Sequence, residues 1–405
     1  MSAAPLVVVG IGADGWAGLG ESARAAVLAA DLIVGSRRQL ALLPDTAAER
    51  RPWPSPIDPL VDELCAAGGA TSTCVLASGD PMLHGIGATL ARRLAPDRLR
   101  VYPQPSALAL ACARLGWAAA EVELVSAVGR SPDVVARSLQ PGRRIVAYAS
   151  GTSGASDLAR VLRERGFGPS RLVVLEQLGG PAERVVESTA EEWGEQAADA
   201  LHAIGIECRA QPGTAWLPRI AGLPDDAYEH DGQITKRAIR AITIAALAPA
   251  PGQLLWDVGA GSGSIAIEWL RAEASARAVA LEARADRAER AIRNARALGV
   301  PQLEVREGRA PQALAGLGAP DAVFVGGGLT EPGLIDHCWD ALRAGGRLVA
   351  NAVTLDAEQV LLAARARHGG ELMRLEVSHA EALGSFSAWR PQLPIVQWSA
   401  RKEPA

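Results

Sequence analysis

Short apolar runs alternate with helical patterns along most of the chain. Leu6-Val7-Val8-Val9 reads as a buried strand, Glu21–Ala30 as a helix and Leu32-Ile33-Val34-Gly35 as a second strand. Ser36-Arg37-Arg38 reads as a helix start and Pro52-Trp53-Pro54-Ser55-Pro56 as a loop. The run Cys74-Val75-Leu76-Ala77 ends in Ser78-Gly79-Asp80-Pro81, and a helix is expected over Ile86–Leu94. An apolar helix passes through Leu115 and closes at Gly116. Arg144–Ala149, Gly154–Arg165 and Arg171–Glu176 continue as strand, helix and strand. This succession predicts an α/β fold.

Periodicity is lost between Ile204 and Tyr228, where Gln211-Pro212-Gly213-Thr214, Leu217-Pro218 and Leu223-Pro224-Asp225-Asp226 punctuate the chain. That stretch predicts a linker over 206–228, separating a domain at 1–205 from one at 229–405. The second domain opens with Thr235 as N-cap of a helix over Arg237–Leu247. Strands at Leu254–Trp256, Ala278–Leu281, Leu303–Arg306 and Ala322–Val325, and near Arg347–Ala350, Leu372–Val377 and Ile395–Trp398, make a sheet of about seven. The helix Asp286–Leu298 carries Ala288, Ala291, Ile292, Ala295 and Leu298 on one face and a row of arginines, expected to be solvated, on the other.

Composition narrows the class of protein. Of 405 residues, 49% are hydrophobic and 21% charged, which is material for sizeable cores. A net charge of −4 gives no polybasic footprint, so nucleic acid is not an expected partner. The five cysteines are scattered, which fits a reducing compartment, and the six histidines lack ligand spacing, so no metal site is expected. The N-terminus runs straight into a strand, and no apolar run approaches the roughly 20 residues that span a bilayer. No membrane association is expected, and a cytoplasmic location follows.

The richest chemical pattern is Trp256-Asp257-Val258-Gly259-Ala260-Gly261-Ser262-Gly263, followed after the next strand by Glu282. A glycine-rich strand-to-helix turn brings bare backbone up to a ligand, and a carboxylate after the second strand accepts hydrogen bonds from a ribose. Any adenosine-type cofactor fits that much. Dinucleotide sites favour Gly-x-Gly-x-x-Gly without an acid directly ahead, because a pyrophosphate would be repelled. Asp257 instead suits a ligand with a cationic ammonium and sulfonium, S-adenosylmethionine. In the first half, Asp80 projects either toward a ligand at a strand's C-terminal end or into an ordinary Asp-Pro turn. Ser106 is either a helix cap or a ligand contact. Gly326-Gly327-Gly328 either clears room for a bulky planar substrate or makes a tight turn.

Several first-half motifs together resemble the tetrapyrrole (corrin/porphyrin) methyltransferases over residues 4–205. They are Val-Gly-Ile-Gly, Ser-Gly-Asp-Pro-Met-Leu-His-Gly, Pro-Ser-Ala-Leu and Leu-Glu-Gln-Leu-Gly-Gly-Pro-Ala-Glu. The resemblance implies two α/β lobes clasping S-adenosylmethionine, with contacts at Ala13, Ser78, Gly79, Asp80, Leu83, Ser106 and Ala107. Ala13 stands where relatives commonly have proline. Over 222–400, Asp-Gly-Gln-Ile-Thr-Lys, Asp-Val-Gly-Ala-Gly-Ser-Gly, Val-Phe-Val-Gly-Gly-Gly and Leu-Arg-Ala-Gly-Gly-Arg-Leu-Val-Ala-Asn-Ala-Val-Thr resemble the cobalamin-pathway decarboxylating methyltransferase domain. That resemblance implies a class I Rossmann-like fold and cofactor contacts at Thr235, Gly259, Ala260, Gly261, Ser262, Gly263, Glu282 and Ala310.

Two unrelated folds for one cofactor, with two S-adenosylmethionine sites, point to a reaction needing two methyl transfers. The resemblance implies a precorrin substrate methylated at C5 by the first domain, and at C15 with loss of CO2 from the C12 acetate by the second. Such a substrate is a polyanion, so Lys236, Arg309 and Arg390 are candidate carboxylate clamps. His379 and Glu381 are candidate proton carriers, and no catalytic base stands out. Homologues of the second domain form tetramers, which implies a homo-oligomer. The rivals are a class I methyltransferase for RNA or a small metabolite with an N-terminal binding module, an NAD(P) oxidoreductase, and a non-enzymatic S-adenosylmethionine sensor. The absence of a basic surplus and of Asn-Pro-Pro after Val325 counts against the first, Asp257 against the second, and the pairing of sites against the third.

Overall fold

Strand β1 (Leu6–Ile11) has no polar residue to offer solvent, and helices cover both sides of its sheet. The computed structural model describes residues 4–67 and 71–403. Its contacts divide the chain into Met1–Pro132 with Gln140–Thr214, and Asp133–Leu139 with Ala215–Ala405. In the first lobe of the first unit, β1 pairs in parallel order with β2 (Leu32–Gly35), β3 (Glu49–Pro52), β4 (Thr73–Ser78) and β5 (Leu99–Tyr102), as β3-β2-β4-β1-β5. Helices α1 (Glu21–Leu28) and α2 (Arg37–Ala41) cover one face, α3 (Asp58–Ala66) and α4 (Ile86–Ala91) the other. The chain leaves β1 in one direction and β4 in the other, so right-handed crossovers open a crevice between those two strand ends. The expected Pro52–Pro56 loop is preceded by a strand, since edge strand β3 tolerates Pro52 at its end.

The second lobe contains α5 (Ala107–Leu115), β6 (Val122–Ser126), β7 (Arg144–Tyr148), α6 (Gly154–Glu164), β8 (Arg171–Glu176), β9 (Arg184–Thr189), α7 (Ala190–Trp193) and β10 (His202–Glu207). Its sheet runs β6-β7-β10-β8-β9, with β10 antiparallel to both neighbours. The expected boundary at 205 therefore falls inside a central strand. Residues 206–228 are also not a free tether. Gln211 N–H and the Thr214 hydroxyl both donate to the Gly166 carbonyl, and Leu223 and Tyr228 are buried in the second unit. Proline and glycine there mark turns against the two cores.

The second unit comprises α8 (Arg237–Leu247), β11 (Leu254–Val258), α9 (Ser264–Ala272), β12 (Arg277–Glu282), α10 (Ala285–Ala297), β13 (Glu304–Glu307), β14 (Ala322–Val325) and α11 (Leu334–Ala341). After these come β15 (Arg347–Ala352), α12 (Leu355–His368), β16 (Glu371–Leu375), the hairpin β17 (Ser378–Leu383) and β18 (Phe386–Pro391), and β19 (Ile395–Arg401). The seven-stranded sheet has order β13-β12-β11-β14-β15-β19-β16, with β19 antiparallel. This is the class I methyltransferase plan. The strand order reverses between β11 and β14, which sets the ligand crevice there. The hairpin has no counterpart in the sequence reading, because its apolar side chains, Leu383, Phe386 and Trp389, are exposed rather than turned to a core. No helix among the described residues is long and apolar enough to cross a membrane.

Candidate active sites

At the reversal in the second unit, two glycine loops meet backbone to backbone. Gly259 has φ +73°, and a Cβ on it would lie 2.7 Å from Gly327 Cα. The close approach thus requires Gly259, whereas a Cβ on Gly327 would meet Gly259 Cα at an ordinary 3.5 Å, and all three glycines after β14 line a cavity of about 880 Å³. Gly259, Ala260, Gly261 and Ser262 form one wall, with Thr235, Glu282 and Ala310 around it. That volume lies within the range of about 300–1,000 Å³ typical of small-molecule sites. Gly263 does not line the cavity. Its absent side chain lets α10 approach, since a Cβ would lie 3.0 Å from Ala291 Cβ.

Both acids of the pattern are buried, with different roles. Glu282 accepts from Gly261 N–H at 2.8 Å and Arg284 N–H at 3.0 Å, so its carboxylate is fixed at the cavity wall with lone pairs to spare. Asp257 lies behind the wall. One oxygen accepts from Ala266 N–H, in the first turn of α9, at 3.0 Å, and the other has no partner among the described residues. Burial, with Glu282 adding to it, pushes the Asp257 carboxyl up to about 7, against the Ala266 hydrogen bond. Asp257 therefore orients the start of α9 and does not itself face the cavity. The buried Ser262 hydroxyl also has no partner among the described residues. Bare backbone, a fixed carboxylate and two unpartnered buried oxygens fit an adenosine-type cofactor carrying positive charge.

The segment before α8 forms the opposite wall, and long-range polar contacts hold it. Glu268, 2% exposed, accepts from Gly222 and Leu223 N–H and from the Tyr228 hydroxyl, and pairs with the fully buried Arg240. Arg240 also donates to the carbonyls of Thr235 and Leu223. Thr235 is not the N-cap; that position falls to Lys236, which makes no capping bond. The arginine row on α10 is not simply solvated either. Arg287 donates to Asp231 and Gln233, Arg293 to Glu229, and the Arg287 guanidinium holds Asp231 down to about 2. Ile292, expected on the buried face, is 40% exposed, whereas Asn294 is buried and bonds Ser262 O and the Glu229 backbone.

Among the expected clamps, Lys236 and Arg309 line the cavity. Arg309 is largely exposed and lies 3.7 Å from Glu331. Arg390 lines neither described cavity; it pairs at 3.3 Å with Glu381 across the exposed hairpin. His379 opens onto a neighbouring cavity instead. Asn351 is a wall residue the pattern did not reveal. It donates to Thr243 Oγ1 and accepts from Gln397, anchoring α8 to β15 and β19. The available signal was one amide in an otherwise apolar strand core.

In the first unit, the expected contacts gather around the ends of β1 and β4. Gly79, at φ +57°, would place a Cβ 3.0 Å from Pro105 O and 3.3 Å from Ser106 Cα. A Cβ on Gly10 would meet Gly79 O at 1.9 Å, so the first glycine of the chain's opening motif is dictated by the β4 loop. Ala13 meets Gly180 from the second lobe, where a Cβ would lie 2.7 Å from Ala13 Cβ. Ser78 Oγ accepts from Arg38 and Gln39, both at 3.1 Å. Asp80 makes the local turn, accepting from Met82 N–H at its carboxylate and from Leu83 N–H at its carbonyl. Ser106 caps α5 through Ala109 N–H, and Ala107 opens that helix. Burial pushes the nearby Tyr148 hydroxyl, which accepts from Leu108 N–H, up to about 12, so it stays protonated.

Comparison with known proteins matches these two halves separately and the chain as a whole. Residues 5–194 match the family described as Tetrapyrrole (Corrin/Porphyrin) Methylases, and residues 226–402 the Precorrin methyltransferase domain. A Sinorhizobium sp protein named precorrin-6Y C(5,15)-methyltransferase [decarboxylating] is 47% identical over 98% of this chain and 96% of its own length. The chain belongs to the precorrin-6Y C(5,15)-methyltransferase (decarboxylating) family. A Mycobacterium tuberculosis (strain ATCC 25618 / H37Rv) member of the precorrin-6Y methyltransferases is 48% identical over 98% of this chain and all of its own. The crystal structure of the C-terminal domain of the Rhodobacter capsulatus precorrin-6Y C5,15-methyltransferase is 46% identical, covering 46% of this chain and all of that one, with a TM-score of 0.44.

Proposed function

We propose that this chain methylates precorrin-6Y at C5 and C15 and removes CO2 from its C12 acetate, giving precorrin-8X in cobalamin biosynthesis. The first unit serves C5 and the second C15 and the decarboxylation, each with its own S-adenosylmethionine. The observation that carries the reading is that one chain holds two different α/β folds, each with a glycine-dependent crevice at its strand reversal. Full-length identity to proteins named for both methylations agrees with it.

When bound, S-adenosylmethionine supplies an electrophilic methyl group. In the second unit, Glu282 is held by two backbone N–H groups to accept ribose hydroxyls, and Gly259 and Gly261 let backbone approach the ligand closely. The meso carbons of a reduced tetrapyrrole are enamine-like nucleophiles, so the residues need not create one. Their larger contribution is alignment, holding nucleophile, methyl carbon and departing sulfur in line. A weak base removes the meso proton afterwards. Carboxylate loss draws on the conjugated ring as electron sink and requires a site that does not over-stabilise the departing carboxylate. In the first unit, Ser78, Gly79, Ser106 and Ala107 form the corresponding wall. Exposed Phe386, Trp389 and Leu393 support self-association of the second unit into a homo-oligomer, a tetramer by the same resemblance.

Glu282→Ala tests the assignment of units. The variant should lose C15 methylation while the first unit still binds S-adenosylhomocysteine. Mass spectrometry showing both methyl groups added at the normal rate would refute the ribose role.

A further inference from the structure

A second cavity, of about 510 Å³, adjoins the cofactor cavity of the second unit. Lys236 and Gln392 line both, so the two meet at those side chains. Arg237 and Asp225 contribute further walls, and His379 closes the cavity from the base of the β17–β18 hairpin. We propose that this cavity binds a carboxylate arm of the macrocycle that survives the reaction, with Lys236, Arg237 and His379 as its recognition residues. The inference rests on the function proposed above.

The charges favour an anion. Asp225 is the acid at this wall, and it is engaged from behind by buried Arg240 at 3.1 Å. Lys236 Nζ lies 4.0 Å from the other Asp225 oxygen, beyond hydrogen-bond reach, so its ammonium protons remain available. Arg237 spends Nε on the Gly222 carbonyl at 2.8 Å. That bond fixes the guanidinium plane, and among the described residues its two terminal nitrogens have no other partner. A guanidinium fork oriented in this way suits bidentate carboxylate binding, and the Lys236 ammonium adds a point charge beside it. His379 offers a ring N–H donor in either protonation state.

Position and chemistry select which arm is held. A flat macrocycle with a meso carbon over the cofactor wall extends its peripheral side chains sideways, and the Lys236–Gln392 boundary is where one crosses into the second cavity. A cluster of cations stabilises a carboxylate in the ground state, which slows its loss. The cavity therefore suits an arm retained through the reaction, and the acetate that leaves as CO2 belongs elsewhere.

The test uses the full chain and the single variants Lys236→Gln and Arg237→Gln, with Arg237→Lys as the conservative comparison. Each Gln variant should raise KM for precorrin-6Y roughly tenfold or more, the loss expected of one charged hydrogen bond. Turnover should stay within about twofold, CO2 released per C15 methyl should not change, and Arg237→Lys should recover part of the loss. Affinity of Arg237→Gln for S-adenosylhomocysteine should be unchanged by calorimetry at the second unit, because Arg237 lines the second cavity and not the first. Unchanged KM in both Gln variants would overturn the proposal. So would CO2 release falling relative to methylation, which would mean that the departing acetate sits there. Inorganic phosphate binding that both variants abolish without moving KM would identify a free-anion site and overturn the substrate assignment. Failure of the unmodified chain to methylate precorrin-6Y would instead refute the function on which the inference rests.

Discussion

Asp257→Asn isolates the electrostatic cost of the buried acid ahead of the glycine loop. The substitution keeps side-chain shape and an oxygen to accept from Ala266 N–H, while removing a charge that burial opposes. The carboxyl lies at about 7 in the folded protein against an ordinary 3.8. Below pH 3.8 it is neutral in both states and has no effect on the equilibrium. As pH rises, the unfolded chain ionises first, so stability falls steadily until the folded carboxyl also ionises near 7, and the loss is constant above that. The gap of roughly three pH units corresponds to about 4 kcal/mol at full ionisation. The Asn variant should match the parent near pH 4 and exceed it at pH 8, by up to about 4 kcal/mol, a melting-point rise on the order of 10 °C for a unit of this size. Calorimetric unfolding of the full chain between pH 4 and 8.5, without cofactor, reads this directly. S-adenosylmethionine affinity of the second unit should fall in the same variant, the exchange of stability for function expected at a binding site. An Asn variant less stable than the parent at pH 8, with the same pH dependence, would refute the account of Asp257.

Gly259→Ala forces a Cβ to within 2.7 Å of Gly327 Cα at a left-handed backbone position, and should reduce S-adenosylhomocysteine stoichiometry from two per chain to one by calorimetry. Arg240→Met leaves Glu268 buried and uncompensated, so denaturant unfolding of the second unit should show a loss of about 3–5 kcal/mol. Arg390→Ala removes only an exposed pair with Glu381, and should leave KM for the tetrapyrrole unchanged and stability within about 1 kcal/mol.

The class I sheet was legible because its strands are apolar runs bounded by turn residues, and both the glycine loop and Glu282 come at the ends of such strands. Local patterns did not reveal what distant segments do. Whether Asp257 faces the cavity or the helix behind it depends on α9 folding back over β11. The α10 residues Arg287 and Arg293 become partners of Asp231 and Glu229 through contacts 56 and 64 residues apart, invisible to helical periodicity. Asn351 acquires its role from Thr243, 108 residues earlier, and Gln397. The hairpin β17–β18 and edge strand β3 were unread for a different reason. Neither buries an apolar face deeply enough to impose an alternating pattern. In the first unit, Ser106 was open to two readings, and the Ala109 N–H contact shows it capping α5.

The central claim is that two methyl transfers and one decarboxylation occur on a single chain. Incubation of the full chain with methyl-labelled S-adenosylmethionine and precorrin-6Y, followed by mass spectrometry of the macrocycle and collection of CO2, measures all three events together. The account predicts two labelled methyl groups and one CO2 per macrocycle. A product with a single added methyl group and its acetate intact would contradict it.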